Sequence, residues 1–127
     1  DADIRPVRCT GDPMAISRMI RNLVENAVRH ANSRVYVEVG SSDGMAILTV
    51  SDDGPGISPA DRSRVFERFV RLDSDRARSG GGAGLGLAIV AEVVAAHGGS
   101  VAIAERPGGG TRMMVSLPLR GPQHSNR

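Results

Sequence analysis

The glycine-rich stretch at 79–90, SGGGAGLGLAIV, constrains the fold of this 127-residue chain more than any other segment. Its glycines lead directly into the apolar run LGLAIVAEVVAAH, which is long enough for a buried helix and ends before Gly98 and Gly99. Backbone N–H groups at such a helix start are not shielded by Cβ atoms, and the helix dipole places partial positive charge there. The stretch is therefore typical of a phosphate-binding loop, although glycine runs also occur as linkers and turns.

Length and composition indicate one domain with a single hydrophobic core. The single cysteine, Cys9, excludes an internal disulfide and suits a reducing compartment. No apolar run reaches the roughly 18 residues that a membrane-spanning helix needs. We expect the domain to occupy residues 1–119 and residues 120–127 to form a disordered tail.

All 16 basic residues are arginine, and this excludes two well-known nucleotide sites. A Walker A loop and a eukaryotic-type protein kinase each need a lysine that contacts phosphate. The net charge is only +2 and aromatic residues make up 2% of the chain, so we expect no nucleic-acid binding.

The first long helix is predicted to begin at Asp12-Pro13, with Asp as N-cap and Pro at the first helical position. A short edge strand at 4–9 precedes it. Apolar side chains recur at helical spacing as far as Ala31 and predict one buried stripe: Ile16, Met19, Ile20, Leu23, Val24, Ala27 and Ala31.

The polar margin of this helix carries Asn22, Asn26 and Arg29 at spacings that align them along one face. These side chains are either solvent-exposed polar residues without a specific role or part of a binding site. In the second case an amide oxygen would be offered to a hard cation such as Mg²⁺, and the arginine would meet the phosphates that the ion carries.

A β-hairpin is predicted next, from two alternating runs at 35–39 and 45–50 around GSSDG. The second run leads into DDGPGI at 52–57, a tight turn where a flat ligand can lie close to the backbone. Asp52 is either an ordinary turn residue or an acceptor for an exocyclic amine.

The second half of the chain predicts a short helix, a loop, a long helix and a closing hairpin. Ser58 and Asp61 have capping-box spacing and open the short helix through 65–69. Residues 70–81 are polar, and we expect them to be a mobile loop that closes only over a bound ligand. The helix at 85–97 is so apolar that we expect both its sides to be covered, and His97 suits its C-terminus as a structural cation. The hairpin pairs 100–104 with 111–117 around ERPGGG.

Four motifs in fixed order over residues 10–118 resemble one family, the ATP-binding catalytic domain of bacterial sensor histidine kinases in the gyrase/Hsp90/histidine-kinase/MutL superfamily. NLVENAVRHA at 22–31 is similar to its N box and DDGPGI at 52–57 to its first glycine box. VFERF at 65–69 is similar to its F box and GGAGLGLAIV at 81–90 to its second glycine box.

The resemblance implies an α+β fold: a two-layer α/β sandwich of the Bergerat type, with a mixed, mostly antiparallel sheet covered on one face by helices. It implies ATP and Mg²⁺ as ligands, with Asn26 on the metal and Asp52 accepting from the adenine amino group. The implied ATP-binding positions are Asn22, Asn26, Arg29, His30, Asp52, Gly54, Gly56, Ile57, Phe69, Arg71, Gly82, Gly84, Leu85, Gly86 and Thr111.

Within this resemblance, residues 70–81 would be a lid, with Arg71, Arg76 and Arg78 as candidate γ-phosphate contacts. Asp53 departs mildly from the pattern, which has Asn most often. Gyrase- and MutL-like ATPases carry a water-activating glutamate one helical turn before the metal-binding asparagine. Here that residue is Asn22, which cannot act as a base, so the resemblance implies phosphotransfer rather than efficient hydrolysis.

The three histidines, His30, His97 and His124, do not fit the family's phosphoacceptor. We therefore expect the catalytic domain alone, with a dimeric phosphoacceptor domain before Asp1, a response regulator as indirect partner, and a cytoplasmic position in a membrane-anchored sensor kinase. The isolated domain would be a monomer and the full protein a homodimer. Two alternatives stay open: a serine protein kinase of the anti-sigma-factor type, and a nucleotide-binding domain without kinase activity.

Overall fold

The computed structural model describes residues 2–4, 11–62, 64–66 and 86–119. The elements in these residues are strand β1 (Ala2–Ile4), helix α1 (Pro13–His30), strands β2 (Val35–Ser42) and β3 (Met45–Asp52), 3₁₀ turns Pro59–Asp61 and Arg64–Phe66, helix α2 (Gly86–Ala96), and strands β4 (Ser100–Glu105) and β5 (Thr111–Pro118). The expected tail at 120–127, the lid and residues 5–10 lie outside the described residues.

Five strands form one sheet in the order β1-β2-β3-β5-β4. β1 pairs parallel to β2, and every other neighbouring pair is antiparallel. Both helices pack on one face of this sheet, so the predicted two-layer α/β sandwich with a mostly antiparallel sheet is confirmed.

The core lies between the two helices and the central strands β3 and β5. Its most deeply buried side chains are Met19 and Leu23 of α1, Val90 of α2 and Val115 of β5. Burying each such aliphatic side chain contributes roughly 1.5–3 kcal/mol. This packing holds both helices in place against β3 and β5.

The start of α1 is the one predicted. The Asp12 Oδ1 atom accepts from the backbone N–H groups of Met14 (2.9 Å) and Ala15 (3.4 Å), and Pro13 occupies the first turn. One member of the predicted buried stripe is wrong: Ile20 is 38% exposed. Ala31 does not belong to the helix but caps its end, where its N–H donates to the Ala27 carbonyl.

The first hairpin is confirmed, with longer strands than predicted. β2 and β3 pair as far as Ser42 and Met45, so only two residues form the turn. These are Asp43 (φ 52°) and Gly44 (φ 78°), both left-handed as a type I′ turn requires.

Two local predictions need correction. The Ser58 Oγ atom donates to the Asp61 carboxylate (2.9 Å) instead of capping backbone N–H groups. The described part of the segment expected to form a short helix contains two 3₁₀ turns, and residues 67–69 of that helix lie outside the described residues. Within the described part of the chain, α2 is exposed at Glu92, Ala95 and Ala96, so the expectation that both its sides are covered is wrong for the side that carries these residues.

His97 has the expected structural role, but as a neutral ring. Its Nε2 atom accepts from the Asp12 backbone N–H (3.1 Å), so its Nδ1 atom carries the proton donated to the Val93 carbonyl (2.7 Å). The ring joins the C-terminal end of α2 to the start of α1. A Cβ at Gly11 would overlap this ring, which explains the glycine before the cap.

Candidate functional site

Asp52 lies at the end of β3, between Val35 of β2 and Thr111 of β5. It is 3% exposed, and Thr111 beside it is 5% exposed. Its Oδ1 atom accepts from the Gly54 N–H at 2.8 Å. Burial raises the pKa of this carboxyl above its ordinary value. Hydrogen bonds from the backbone of Gly54 and Thr111 and the nearby His30 oppose the shift in part.

Three glycines next to Asp52 occupy positions where a side chain would overlap backbone or need a left-handed conformation. A Cβ at Gly54 would overlap the His30 carbonyl, and one at Gly110 would overlap the Asp52 carbonyl. Gly56 (φ 84°) faces the Gly110 carbonyl, at 3.4 Å from its Cβ position. A buried acceptor framed by bare backbone is suited to a flat heteroaromatic group with an exocyclic amine.

The β4–β5 loop is held beside this frame by Arg106, a contact that sequence reasoning missed. Its guanidinium lies 4.4 Å from the centre of the Tyr36 ring and donates to the Tyr36 hydroxyl (3.0 Å) and the Gly109 carbonyl (2.8 Å). The Arg106 N–H also donates to the Gly110 carbonyl (3.0 Å). These bonds position Gly110 against Asp52. Two residues 70 apart in sequence carry no signal of such a contact.

Helix α1 connects this frame to the start of α2. Asn22, Asn26 and His30 follow one another at four-residue intervals, a span of about 12 Å along the axis. The His30 Nδ1 atom lies 2.8 Å from the Asn26 carbonyl, and His30 is close enough to Asp52 to affect its pKa. Arg29 is half-buried on the last turn.

At the other end, Asn22 faces the first residue of α2. The Cβ position of Gly86 lies 4.0 Å from the Asn22 Oδ1 atom. The Asn22 Nδ2 atom is buried and has no hydrogen-bond partner within the described part of the chain. Buried amide nitrogens are rarely left without a hydrogen-bond partner in folded proteins. Together with the glycine frame, this orphaned donor at a helix N-terminus fits a phosphate-bearing ligand lying along α1.

Asp53 makes the densest set of hydrogen bonds near the site, and the sequence had marked it only as a mild departure. Its Oδ1 atom accepts from the N–H groups of Asn32 (2.9 Å), Ser33 (2.9 Å) and Arg34 (3.1 Å). Its Oδ2 atom accepts from the Ser33 hydroxyl (2.6 Å). These bonds hold the pKa of the Asp53 carboxyl well below its ordinary value.

The remaining predicted positions separate into two groups. Ile57 packs against the core next to the glycine frame. Seven others lie outside the described residues: Phe69, Arg71, Arg76, Arg78, Gly82, Gly84 and Leu85. Within the described ranges, no group of three or more His, Cys, Asp or Glu side chains could hold a metal. A cation here would depend on an amide oxygen and on its own ligand's oxygens.

Residues 11–121 match the profile of the histidine kinase-, DNA gyrase B- and HSP90-like ATPase family. The chain belongs to this family. Sensor histidine kinase CpxA of Escherichia coli is 45% identical over 109 residues, which cover 86% of this chain and 24% of CpxA. The ATPase domain thus spans about a quarter of the length of the curated relatives it matches.

Two solved structures extend the comparison of this ATPase domain. The mycobacterial sensor histidine kinase MprB superposes with a TM-score of 0.82 at 36% identity, over 94% of this chain and 80% of that one. Full-length ShkA, in complex with AMPPNP, superposes with a TM-score of 0.73 at 31% identity, over 93% of this chain and 26% of that one. The domain is therefore of the histidine kinase type. None of its described helices is long and apolar enough to cross a membrane.

Proposed function

We propose that this domain binds Mg-ATP between α1 and the glycine turns and donates the γ-phosphoryl group to a histidine on a separate domain of the same sensor kinase. The observation that carries the proposal is the alignment along α1. At one end a buried carboxylate is framed by bare backbone. At the other, a buried amide nitrogen with no partner among the described residues faces a helix N-terminus. The binding of an ATP analogue by ShkA, a structural relative, supports the same ligand.

The adenine end of the ligand would lie at Asp52. The carboxylate would accept from the exocyclic amine, and Gly54 and Gly56 would let the purine approach the backbone. Thr111, buried beside Asp52, would support the pocket. A buried acceptor of this kind favours adenine over guanine, which has a carbonyl where adenine has its amine.

The phosphate end would lie along α1 and at the start of α2. Asn26 would offer its amide oxygen to Mg²⁺, and Arg29 would contact phosphate. The Asn22 amide would donate there and satisfy its buried nitrogen. When bound, Mg²⁺ would neutralise phosphate charge, and α1 would supply position and donors. His30 and Gly86 would complete this side of the site, together with the proposed ATP contacts outside the described residues: Phe69, Arg71, Gly82, Gly84 and Leu85.

Asn22 also bears on the reaction. An amide cannot take a proton from water, so this helix position offers no general base for hydrolysis. The site would hold Mg-ATP for transfer instead. The acceptor would be a histidine of an upstream dimerisation domain, and the phosphoryl group would then pass to a response regulator. We also propose that the domain is a monomer alone, a homodimer in the full protein, and cytoplasmic in a membrane-anchored kinase.

Calorimetric titration of the chain with ATP, with and without Mg²⁺, tests the binding step. We expect saturable, magnesium-dependent binding and much weaker binding of GTP. Incubation with γ-labelled ATP should leave no acid-labile phosphate on the chain alone, and a fusion to a phosphoacceptor domain should become labelled. No ATP binding at millimolar concentration, or stable labelling of the chain itself, would refute the proposal.

A further inference from the structure

We propose that Asp53 is a positioning residue for nucleotide binding. Its carboxylate holds the end of α1, which carries the phosphate-facing side chains, in register with the strand end that carries Asp52. The inference rests on the proposed binding of ATP along α1. It assigns to Asp53 no contact with the nucleotide itself.

The Asp53 carboxylate binds one short loop, residues 32–34, and we call this set of hydrogen bonds the clamp. A single oxygen, Oδ1, accepts from three consecutive N–H groups at 32, 33 and 34, and Oδ2 accepts from the Ser33 hydroxyl. Two further bonds run between the same segments. The Asn32 Nδ2 atom donates to the Asp53 carbonyl (2.9 Å), and the Asp53 N–H donates to the Arg34 carbonyl (3.3 Å). Successive N–H groups converging on one anionic oxygen form a strong, directional contact.

The clamp acts where α1 ends. The Ala31 N–H closes the helix on the Ala27 carbonyl, and the clamped residues follow immediately. One residue before Ala31, the His30 carbonyl occupies the space that a Cβ atom at Gly54 would need. Asn26 and Arg29, the proposed contacts of Mg²⁺ and phosphate, lie in the last two turns of α1, so a shift of this end moves them relative to Asp52.

Asp52, in contrast, does not need the clamp. Its backbone is paired with β2 on one side and β5 on the other. Its carboxyl is oriented by the N–H of Gly54. Loss of the Asp53 carboxylate would therefore leave Asp52 in place and let Asn26 and Arg29 shift relative to it. The expected defect is a loss of alignment between Asp52 and the side chains of α1. The individual side chains on each side stay intact.

The test compares Mg-ATP with adenosine, which reaches only the adenine side. We expect Asp53→Ala to raise the Kd of Mg-ATP by about tenfold or more, as removal of an outer contact that orients a ligand commonly does, and to change the Kd of adenosine by less than about threefold. Asp53→Asn retains an Oδ1 acceptor for the three N–H groups and should restore most of the ATP affinity. Calorimetry measures both ligands, and circular dichroism measures the folded fraction.

A merely structural role gives a different pattern, because partial unfolding weakens both ligands by the same factor. Equal losses for ATP and adenosine, or unchanged ATP affinity in folded Asp53→Ala, would overturn the inference. Failure of the wild-type chain to bind ATP would instead overturn the proposed function. If Asp53→Ala does not fold, Ser33→Ala removes only the Oδ2 bond. Ser33→Ala should raise the Kd of ATP about twofold or more and leave the Kd of adenosine unchanged. An unchanged ratio of these two Kd values would also overturn the inference.

Discussion

Asp52 and Asp53 are neighbours in sequence, yet their carboxyl pKa values shift in opposite directions. Burial raises the pKa of Asp52, whereas hydrogen bonds from Ser33, Arg34 and Asn32 lower the pKa of Asp53. The alternation of side chains at a strand end explains the difference. One carboxyl enters the protein beside Thr111, and the other turns outward to the loop after α1. A binding acceptor and a structural clamp therefore lie one residue apart.

The buried carboxylate of Asp52 should cost stability at neutral pH. Because its folded pKa is raised above the ordinary value of 3.8, stability falls as pH rises through the window between the two values. Asp52→Asn keeps an oxygen for the Gly54 N–H and removes the charge. We expect a higher urea midpoint than wild type at neutral pH, a difference that closes as pH falls toward 3.8.

The same substitution should abolish adenine recognition. With its oxygen turned to the Gly54 N–H, the amide of Asp52→Asn would present an N–H₂ group where the carboxylate had an acceptor, so ATP affinity should fall by at least about tenfold. Wild-type ATP affinity should also decline on acidification earlier than for an ordinary aspartate. Calorimetry across pH measures both effects, and unchanged ATP binding by the variant would place adenine elsewhere.

Asp53→Asn should show the opposite dependence of stability on pH. The folded pKa of Asp53 is lowered, so its stabilising contribution is present above 3.8 and is lost as pH falls below that value toward the folded pKa. We expect Asp53→Asn to be less stable than wild type at neutral pH and to converge with it in acid. Urea unfolding at a series of pH values measures this. A difference independent of pH would show that the carboxylate charge does not matter.

Asn26→Ala should lose magnesium-dependent ATP binding and remain folded. The side chain is only partly buried, so its removal leaves the core residues Leu23 and Ala27 in place. Glu25→Ala is the matched control, because Glu25 is the exposed neighbour on another face of α1. We expect Asn26→Ala to lower Mg-ATP affinity by about tenfold or more and the control to leave it unchanged. Equal affinities of the two variants in calorimetry would argue against Asn26 as the metal ligand.

Gly54→Ala should damage both fold and site, since its methyl group would overlap the His30 carbonyl. We expect a loss of about 1–3 kcal/mol in the free energy of unfolding, with a parallel loss of ATP binding. Gly40→Ala is the control, because nothing lies within 4 Å of its Cβ position. Chemical unfolding of the two variants tests the close approach of α1 to the glycine turn. Equal free energies of unfolding of the two variants would disprove that close approach.

Gly11 and His97 should be coupled energetically. Gly11→Ala overlaps the His97 ring, and His97→Ala removes the acceptor of the Asp12 N–H. Each change should cost about 1 kcal/mol or more in unfolding free energy. The methyl group at position 11 should cost less once the ring is gone, and a double-mutant cycle measures this coupling. Strict additivity would mean that the ring does not fill that space.

Local rules in the sequence were enough for most of the framework. The Asp12-Pro13 cap, the turn between β2 and β3 and the alternation along β5 each depend on residues close to one another in sequence. The resemblance of the boxes to one family supplied the fold class and the roles expected for Asn26 and Asp52. The roles of individual site residues remain predictions, which the substitutions above test.

Tertiary structure decided what lies between distant segments. Asp53 meets residues 19 to 21 positions earlier, Arg106 meets Tyr36 across 70 positions, and His97 meets Asp12 across 85. Sheet register and helix packing bring these partners together, and no periodic pattern encodes them. The exposure of Ile20, which helical spacing had placed inside, follows from the same cause. A sequence shows which side chains share a face, but only the packed fold determines how much of that face is covered.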